Sequence, residues 1–455
     1  MQMSPAILLS GLMVGTGLQA DSLESLLEKR LAGDRSGVCA AAVYIDGERS
    51  EMAAYCADPD NARELGADSR FEIGSISKAF LGLLVARMVE RGELDLDQPV
   101  AELLSTDSPL PEYEDRPIRV IDLLTHTSGL PRLPDNFEIA DPNNPYADYT
   151  PEKLLDDLAA AELESAPGER YVYSNFGYMV LSLALVHHTG KPLAELFDEQ
   201  IFKPLGMNQT SLSGSTVQGH GGPGRKASNW GFHPDLGGVG AIRSTPADMT
   251  RWLQALLGRH EGPLKNALSR AGKTLNEPNG EPQGYAWAFI PLGERQVMAH
   301  DGGTGGFSSI AIVDPENDRA SLVLMDTTMV MRGSLGDLAL HLVDRDFEMQ
   351  EPLPAAEAVT GIDLEPYAGR FALYDDEGPF MGDFIVEFSI EDEELHIQAS
   401  SGGQVQPKLP MVAEGDGRFT IAELDLTIDF VHAEDGRVER LDFSQGPLEL
   451  RGERQ

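Results

Sequence analysis

The sequence predicts an α+β protein: an antiparallel sheet flanked by helices and joined to a mostly helical subdomain, followed by a small antiparallel β-barrel. Three observations carry that expectation. Strand-like segments occur early, at 38–57, and again late, at 284–330, so one sheet must draw on both ends of a long stretch of chain. Two strongly apolar helical segments, 74–92 and 174–190, lie between them. Beyond residue 363 helical signals vanish and short strands alternate with turns, which is the pattern of a separate β-domain.

Taken in order, residues 1–20 carry no charged side chain, run apolar from Pro5 to Leu18 and end in small residues at Ala20, just before Asp21. That is the pattern of a secretory signal peptide. A retained membrane anchor is the alternative, opposed by Gly11, Gly15, Thr16 and Gly17 and by a length that barely reaches the roughly 20 apolar residues a span requires. The expected location is therefore periplasmic or secreted, with no stable membrane insertion after signal cleavage.

Residues 21–33 read as an amphipathic helix with Leu23, Leu26, Leu27 and Leu31 on one face and Gly33 as a stop. VCAAAVYI, DGER and SEMAAYCA then read as two strands around a tight turn. If Asp46–Arg49 form a four-residue loop, Ile45 faces Ser50 and the same register sets Cys39 opposite Cys56. A cross-strand disulfide then fits an oxidising compartment; two buried thiols are the alternative.

The helix at 74–92 carries Ala79, Phe80, Leu83, Leu84, Met88 and Val89. Residues 105–170 are rich in Pro, Asp and Asn and read as loops with short helices. YAWAFI, QVMAH, FSSIAIVD and ASLVLMD supply the late strands. Residues 348–363 read as a linker, which divides the chain into a signal peptide at 1–20, a first domain at 21–347 and a β-domain at 364–455. In the last, Leu426, Ile428 and Phe430 share one face, as do Leu441 and Phe443, and hairpins are marked at Glu391–Glu394 and Asp435-Gly436.

Composition narrows the function classes. The chain has 455 residues, with 74 acidic against 35 basic side chains and a net charge of -39. Phosphate would be repelled, so nucleic acid is excluded as a partner. Only nine of the basic residues are Lys. Such a surface suits solubility in high salt and equally an ordinary acidic protein.

Three short elements converge on acyl transfer. Ser75-Ile76-Ser77-Lys78 follows Gly74 at a helix start, and residues three apart share a helix face, so Ser75 and Lys78 can touch. A Ser hydroxyl needs a base, and a Lys in an apolar helix has its pKa lowered by burial. The structural alternative is a helix-capping Ser75 with Lys78 reaching water. Tyr173-Ser174-Asn175 precedes the second apolar helix. A tyrosine of lowered pKa can shuttle protons, and an Asn amide can bind a substrate carbonyl and Lys78 together; a capping Ser174 and a turn Asn175 are the alternative. His300-Asp301-Gly302-Gly303-Thr304-Gly305-Gly306 lies between two strands, where glycines admit close approach of a substrate. The Gly303 N–H could then serve as a second oxyanion donor beside that of Ser75; a Gly-rich turn is the alternative.

With FEIGSISKAF, LLTHTSGLP, PGERYVYSNFGY, FKPLGMNQT, GGVGAIRSTPADMTRWLQALL and HDGGTGGF in this order, the chain resembles the penicillin-recognising serine hydrolases, specifically the class C β-lactamase-like branch with its D-aminopeptidases, DD-peptidases and family VIII esterases. The resemblance covers residues 21–345 and implies the β-lactamase/DD-peptidase fold. It implies Ser75 as acylated nucleophile, Lys78 as its activating partner, Tyr173 as general base, Asn175 as substrate-orienting residue and an oxyanion hole from the N–H groups of Ser75 and Gly303, with Gly302 beside it. His300 stands where the family's K-T-G motif has Lys. A mostly neutral His grips a substrate carboxylate poorly, which turns the expectation from an efficient β-lactamase toward amides, D-amino-acid peptides or esters. The C-terminal segment resembles an appended lipocalin-like domain, through which an oligomer could form.

No metal or cofactor is expected, and the partner is a small-molecule or peptide substrate. His126 in LLTHTSGL reads as a structural loop residue, and His187-His188 as surface. A class C-type β-lactamase is the alternative within the same chemistry; a penicillin- or peptide-binding sensor without turnover is the alternative outside it.

Overall fold

Cys39–Asp46, CAAAVYID, is buried at every position but the last, and so continuous an apolar run belongs inside a sheet. It pairs antiparallel with Arg49–Cys56 on one side and Arg319–Met325 on the other. The structure is a computed structural model that describes residues 21–455 apart from 35–36, 58–62, 105–109, 222–225, 329–334, 351–358 and short stretches of the C-terminal region (376–377, 381–383, 392, 402–403, 407, 416, 422–423, 425, 434–435 and 446–447). The expected signal peptide at 1–20 lies outside the described residues, as do 351–358 of the expected linker and Asp435 of the expected hairpin.

The first sheet has eight antiparallel strands in the order Arg49–Cys56, Cys39–Asp46, Arg319–Met325, Ser308–Asp314, Arg295–Gly303, Ala288–Leu292, Gln283–Gly284 and Thr274–Asn276. Early and late strands meet as the sequence implies. Ile45 faces Ser50 and Cys39 faces Cys56, and the structure joins the two cysteines. The turn is tighter than a four-residue loop: Asp46 pairs with Arg49, leaving Gly47 and Glu48, because Gly47 takes the positive φ of 55° that a two-residue hairpin turn favours.

One face of the sheet carries the helices Leu23–Leu31 and Gly336–Val343, which bury Leu26, Leu27, Leu338 and Leu342. Arg30, itself buried, joins them through a 2.6 Å bond from its Nε to Asp337. The other face carries the larger core. Its central helix Ser77–Glu90 is buried almost all round. Phe80 stacks on Trp252 with ring centroids 4.4 Å apart. Gly82 lies so close to the chain at Tyr285 that a Cβ would sit 2.3 Å from that residue's carbonyl oxygen, a crossing only glycine permits. Beside it runs Asn175–Thr189, begun by the Ser174 hydroxyl accepting the Gly177 N–H and ended by Gly190 in the left-handed region.

The C-terminal region forms its own antiparallel sheet around its own core of Phe371, Phe388, Phe419, Ile428, Phe430 and Leu441. The strand path begins at Gln404–Val405, runs through Glu394–Ser401, Ile385–Glu391, Gly369–Asp375, Leu448–Arg454, Val438–Gln445, Leu426–His432 and Arg418–Ile421, and ends at Val412–Gly415. The Met411 N–H donates to the Leu395 carbonyl at 2.8 Å, which brings the last edge back to the first and nearly closes a barrel. Among the described residues, the 3-10 turn Glu365–Tyr367 is helical structure that strand periodicity did not reveal there. Among the described residues no helix is long and apolar enough to cross a membrane.

Candidate active site

Ser75 sits in a 3-10 turn, Gly74–Ile76, and the α-helix proper starts at Ser77. The expected single helix from residue 74 is thus tightened at its tip, because Gly74 holds φ at +50°. The turn is clasped against the strand Arg295–Gly303. A Cβ on Gly74 would lie 2.6 Å from the Gly303 nitrogen, and one on Gly302 would lie 2.1 Å from the Ile73 oxygen and 2.9 Å from the Ser75 nitrogen. The Ser309 hydroxyl locks the same contact by donating to the Ile73 carbonyl at 2.9 Å. The glycines at 74 and 302 are therefore what lets the backbone of Ser75 and that of Gly303 share one site.

Their amides suit an oxyanion. In an antiparallel ladder, hydrogen-bonded and non-hydrogen-bonded pairs alternate. The Thr304 N–H donates to Phe307 at 2.9 Å and Gly303 faces Ser308, so Gly303 belongs to a non-bonded pair and its N–H is directed away from the neighbouring strand. The strand on the other side, Ala288–Leu292, reaches only as far as Ala299.

Lys78 is fully buried one turn below Ser75. Its Nζ donates to Ser75 Oγ at 2.9 Å and to the Val239 carbonyl at 2.8 Å, and lies 5.0 Å from the centre of the Tyr173 ring. Burial pushes its pKa well below the ordinary lysine value; the charge of Arg132 adds to that, and Asp301 opposes it. Tyr173 differs from the expectation of a lowered pKa. Burial pushes its phenol up, and the Ser75 hydroxyl bonded to it only partly offsets the rise.

Asn175 lines the same pocket but does not bridge to Lys78. Its amide nitrogen donates to the Tyr146 hydroxyl at 2.9 Å, while Lys78 takes the Val239 carbonyl instead. His300 is buried beneath the pocket rather than lining it. Its Nδ1 donates to the Asp301 carbonyl at 2.6 Å, and burial lowers its pKa to about 4, so it is neutral at pH 7. Asp301, Gly302 and Gly303 reach the pocket surface in its place.

The pocket encloses about 440 Å³. Besides Ser75, Tyr173 and Asn175 it is lined by Arg132, Tyr146, Trp230 and Phe232, which no motif marks. Aromatic residues in the otherwise polar loops 130–150 and 214–235 are the one signal the sequence offered. His126, in the LLTHTSGL segment, supports the site without lining the pocket. It is buried at φ +56°, its Nδ1 accepts the Ser174 N–H at 3.0 Å, and its ring packs between Tyr173 and Tyr178.

The beta-lactamase family matches residues 23–342, which is most of the chain. The chain belongs to the beta-lactamase family. Membership makes it a serine hydrolase. The D-alanyl-D-alanine-carboxypeptidase/endopeptidase AmpH of Escherichia coli (strain K12) is 27% identical over 310 residues, covering 64% of this chain and 80% of that protein. Penicillin-binding protein 4* of Bacillus subtilis (strain 168) is 24% identical over 429 residues, covering 86% of this chain and 89% of that one. Among solved structures, the octameric penicillin-binding protein homologue from Pyrococcus abyssi shares the fold with a TM-score of 0.58 at 20% identity, over 94% of this chain and 97% of its own. The class C beta lactamase from Rhodobacter sphaeroides aligns with a TM-score of 0.57 at 21% identity, over 71% of this chain and 97% of its own.

Proposed function

We propose that this protein works through an acyl-enzyme on Ser75 and cleaves a small amide, a D-amino-acid-containing peptide or an ester. The observation that carries this reading is the 2.9 Å contact between Lys78 Nζ and Ser75 Oγ, made by a fully buried lysine. Burial favours the neutral amine, and a neutral amine can accept the serine proton. As Oγ bonds to the substrate carbonyl carbon, its proton passes to Lys78 and the carbonyl oxygen gains the negative charge, facing the N–H groups of Ser75 and Gly303. Collapse expels the amine or alkoxide, which takes a proton from Tyr173; Lys78 restores that proton. Water then attacks the acyl-enzyme by the same route. The raised pKa of Tyr173 supports a protonated phenol that relays, in place of the general base the family resemblance implies.

A second reading, cleavage of carboxylate-bearing β-lactams, is favoured by one feature. Arg132 lines the pocket and provides the permanent cation that neutral His300 does not. The same feature suits the terminal carboxylate of a peptide, the substrate type named for the Escherichia coli relative.

Export to the periplasm or medium is part of the proposal, supported by the Cys39–Cys56 pairing and by the apolar N-terminus. So are the division into 21–347 and 364–455 and assembly through the C-terminal domain, for which the octameric relative offers a precedent. The test is a parallel panel of p-nitrophenyl acetate, D-alanine amide, D-Ala-D-Ala peptide and nitrocefin against wild type and Ser75→Ala. Turnover of one or more is expected, together with a fluorophosphonate adduct on Ser75. Undiminished turnover by Ser75→Ala overturns the reading.

A further inference from the structure

We propose that the open end of the C-terminal barrel is a chain-binding subsite of this hydrolase, and that its substrate is an ester or amide bearing a medium-to-long aliphatic chain. The proposal rests on the acyl-enzyme reading above for the position of the scissile bond. A cavity of about 730 Å³ lies between the barrel and the hydrolase site. Its walls inside the barrel are Val386, Ile397, Leu424, Leu426 and Phe443. Thr304, the residue after Gly303, lines both this cavity and the Ser75 pocket, so the two spaces lie on either side of one residue.

The register shows why the hollow is at that end. Leu426 faces Gln445 where one strand begins and its partner finishes, and Val386 faces Ala399 one pair in from such an end, so these residues lie at or beside one rim of the barrel. The body of the barrel farther from that rim is filled by rings. Phe430 is four residues beyond Leu426 along its strand, roughly 13 Å deeper. Its ring packs on Tyr367, Phe388 and Phe419 at centroid separations of 4.9, 5.0 and 5.6 Å. The barrel is thus plugged by aromatics in its body and lined mostly by apolar side chains toward Thr304 and Gly305, with Gln406 and Gln445 among them and the polar Asn143, Lys226 and Thr328 on the hydrolase side.

The chemistry of the walls selects the occupant. A peptide drawn past the polar side chains into the part walled by Val386, Ile397, Leu424, Leu426 and Phe443 would leave N–H and C=O groups unpaired, which is costly. A hydrocarbon chain has none to satisfy, and each methylene it buries raises affinity by roughly fourfold. The acyl or alkyl arm of a lipophilic ester or amide is the ligand that fits, with its carbonyl left at Ser75.

The experiment uses the full-length protein and p-nitrophenyl esters of two, four, eight and twelve carbons. kcat/KM is expected to rise at least tenfold from acetate to octanoate, and Ala399→Phe, which fills the cavity from its wall, is expected to collapse the octanoate-to-acetate ratio. An unchanged ratio in the variant, or no rise in wild type, overturns the proposal. Because the variant could be misfolded, binding of the fluorescent fatty acid cis-parinaric acid is measured separately. Ser75→Ala is expected to bind it as wild type does, and Ala399→Phe at least tenfold more weakly. Absence of binding to wild type overturns the subsite, as does binding seen only when sedimentation shows an assembly has been taken apart, since a second copy would then fill the mouth. Failure of wild type to turn over any ester of the series or to form a fluorophosphonate adduct on Ser75, with the probe still bound, defeats the acyl-enzyme reading and leaves the chain-binding site standing.

Discussion

The ring of His126 lies against that of Tyr173, with centroids 4.4 Å apart, and its Nδ1 accepts the N–H of Ser174, the next residue along. One histidine thus fixes both the plane and the backbone of the phenol that contacts Ser75, without lining the pocket. His126→Phe keeps a ring in place and removes the acceptor, leaving a buried N–H unpaired at a cost of about 1–3 kcal/mol. The expected result is a fall in kcat of about 10- to 100-fold with little change in KM, since a small misplacement of a catalytic group is enough for that. A loss confined to thermal stability, with kcat unchanged, would assign His126 to the core alone.

Lys78 and Tyr173 are shifted in opposite directions, and the pair sets the pH profile. Lys78 is held below the ordinary lysine value, so its neutral form is already available at pH values where free lysine is charged. Tyr173 is held above the ordinary tyrosine value, so its proton stays on past the range where a free phenol loses it. kcat/KM should rise from acid pH, level off well below pH ~10, and fall only beyond the ordinary tyrosine range. Lys78→Arg should lose roughly 10²- to 10⁴-fold, because a guanidinium stays charged throughout. A rising limb centred near pH 10 would mean that the lysine is not the base.

His300 couples stability to pH. Its folded pKa of about 4 lies below the unfolded value near 6.5, so between those values the unfolded chain binds a proton that the native one does not. Stability from this group is therefore complete above about pH 6.5 and drains away as pH falls toward 4. His300→Asn should shrink the loss of unfolding free energy between pH 7.5 and 4.5 by about 2–3 kcal/mol, read by urea denaturation at both pH values. An equal loss in wild type and variant would show that the imidazole is not held neutral.

Gly302 touches the Ser75 turn with no room for a methyl group: its Cβ would fall 2.1 Å from the Ile73 oxygen. Gly302→Ala should separate the two oxyanion amides and cost about 10²-fold or more in kcat, the loss expected for one such donor. Gly303→Ala is the matched control, since the nearest atom to its Cβ is 4.0 Å away. Equal effects from the two substitutions would remove the steric argument.

What the sequence revealed follows from what short-range patterns encode. The three-residue spacing of Ser75 and Lys78, the alternation of Leu426, Ile428 and Phe430, and the Cys39–Cys56 register are all local consequences of helix and strand geometry, and each is recovered in the fold. Arg132, Tyr146, Trp230 and Phe232 come from loops without a period, so only tertiary packing brings them to Ser75. The motif around Tyr173 carries no sign of the burial that pushes its phenol up, because that burial comes from neighbours distant in sequence, His126 and Lys78 among them. Nothing in the alternation of the barrel strands says which rim would meet Thr304.

The interior strand Cys39–Asp46 waits for Arg319–Met325, its partner some 280 residues later in the chain. Contacts of such sequence separation slow folding, because a long loop must close before they form. A ribosome releasing this chain from its N-terminus therefore exposes Ser75 and Lys78 long before the sheet can be completed, and before Gly303 exists to stand beside them. On the proposed mechanism the site around Ser75 can be completed only after Gly303, residue 303 of 455, has left the ribosome.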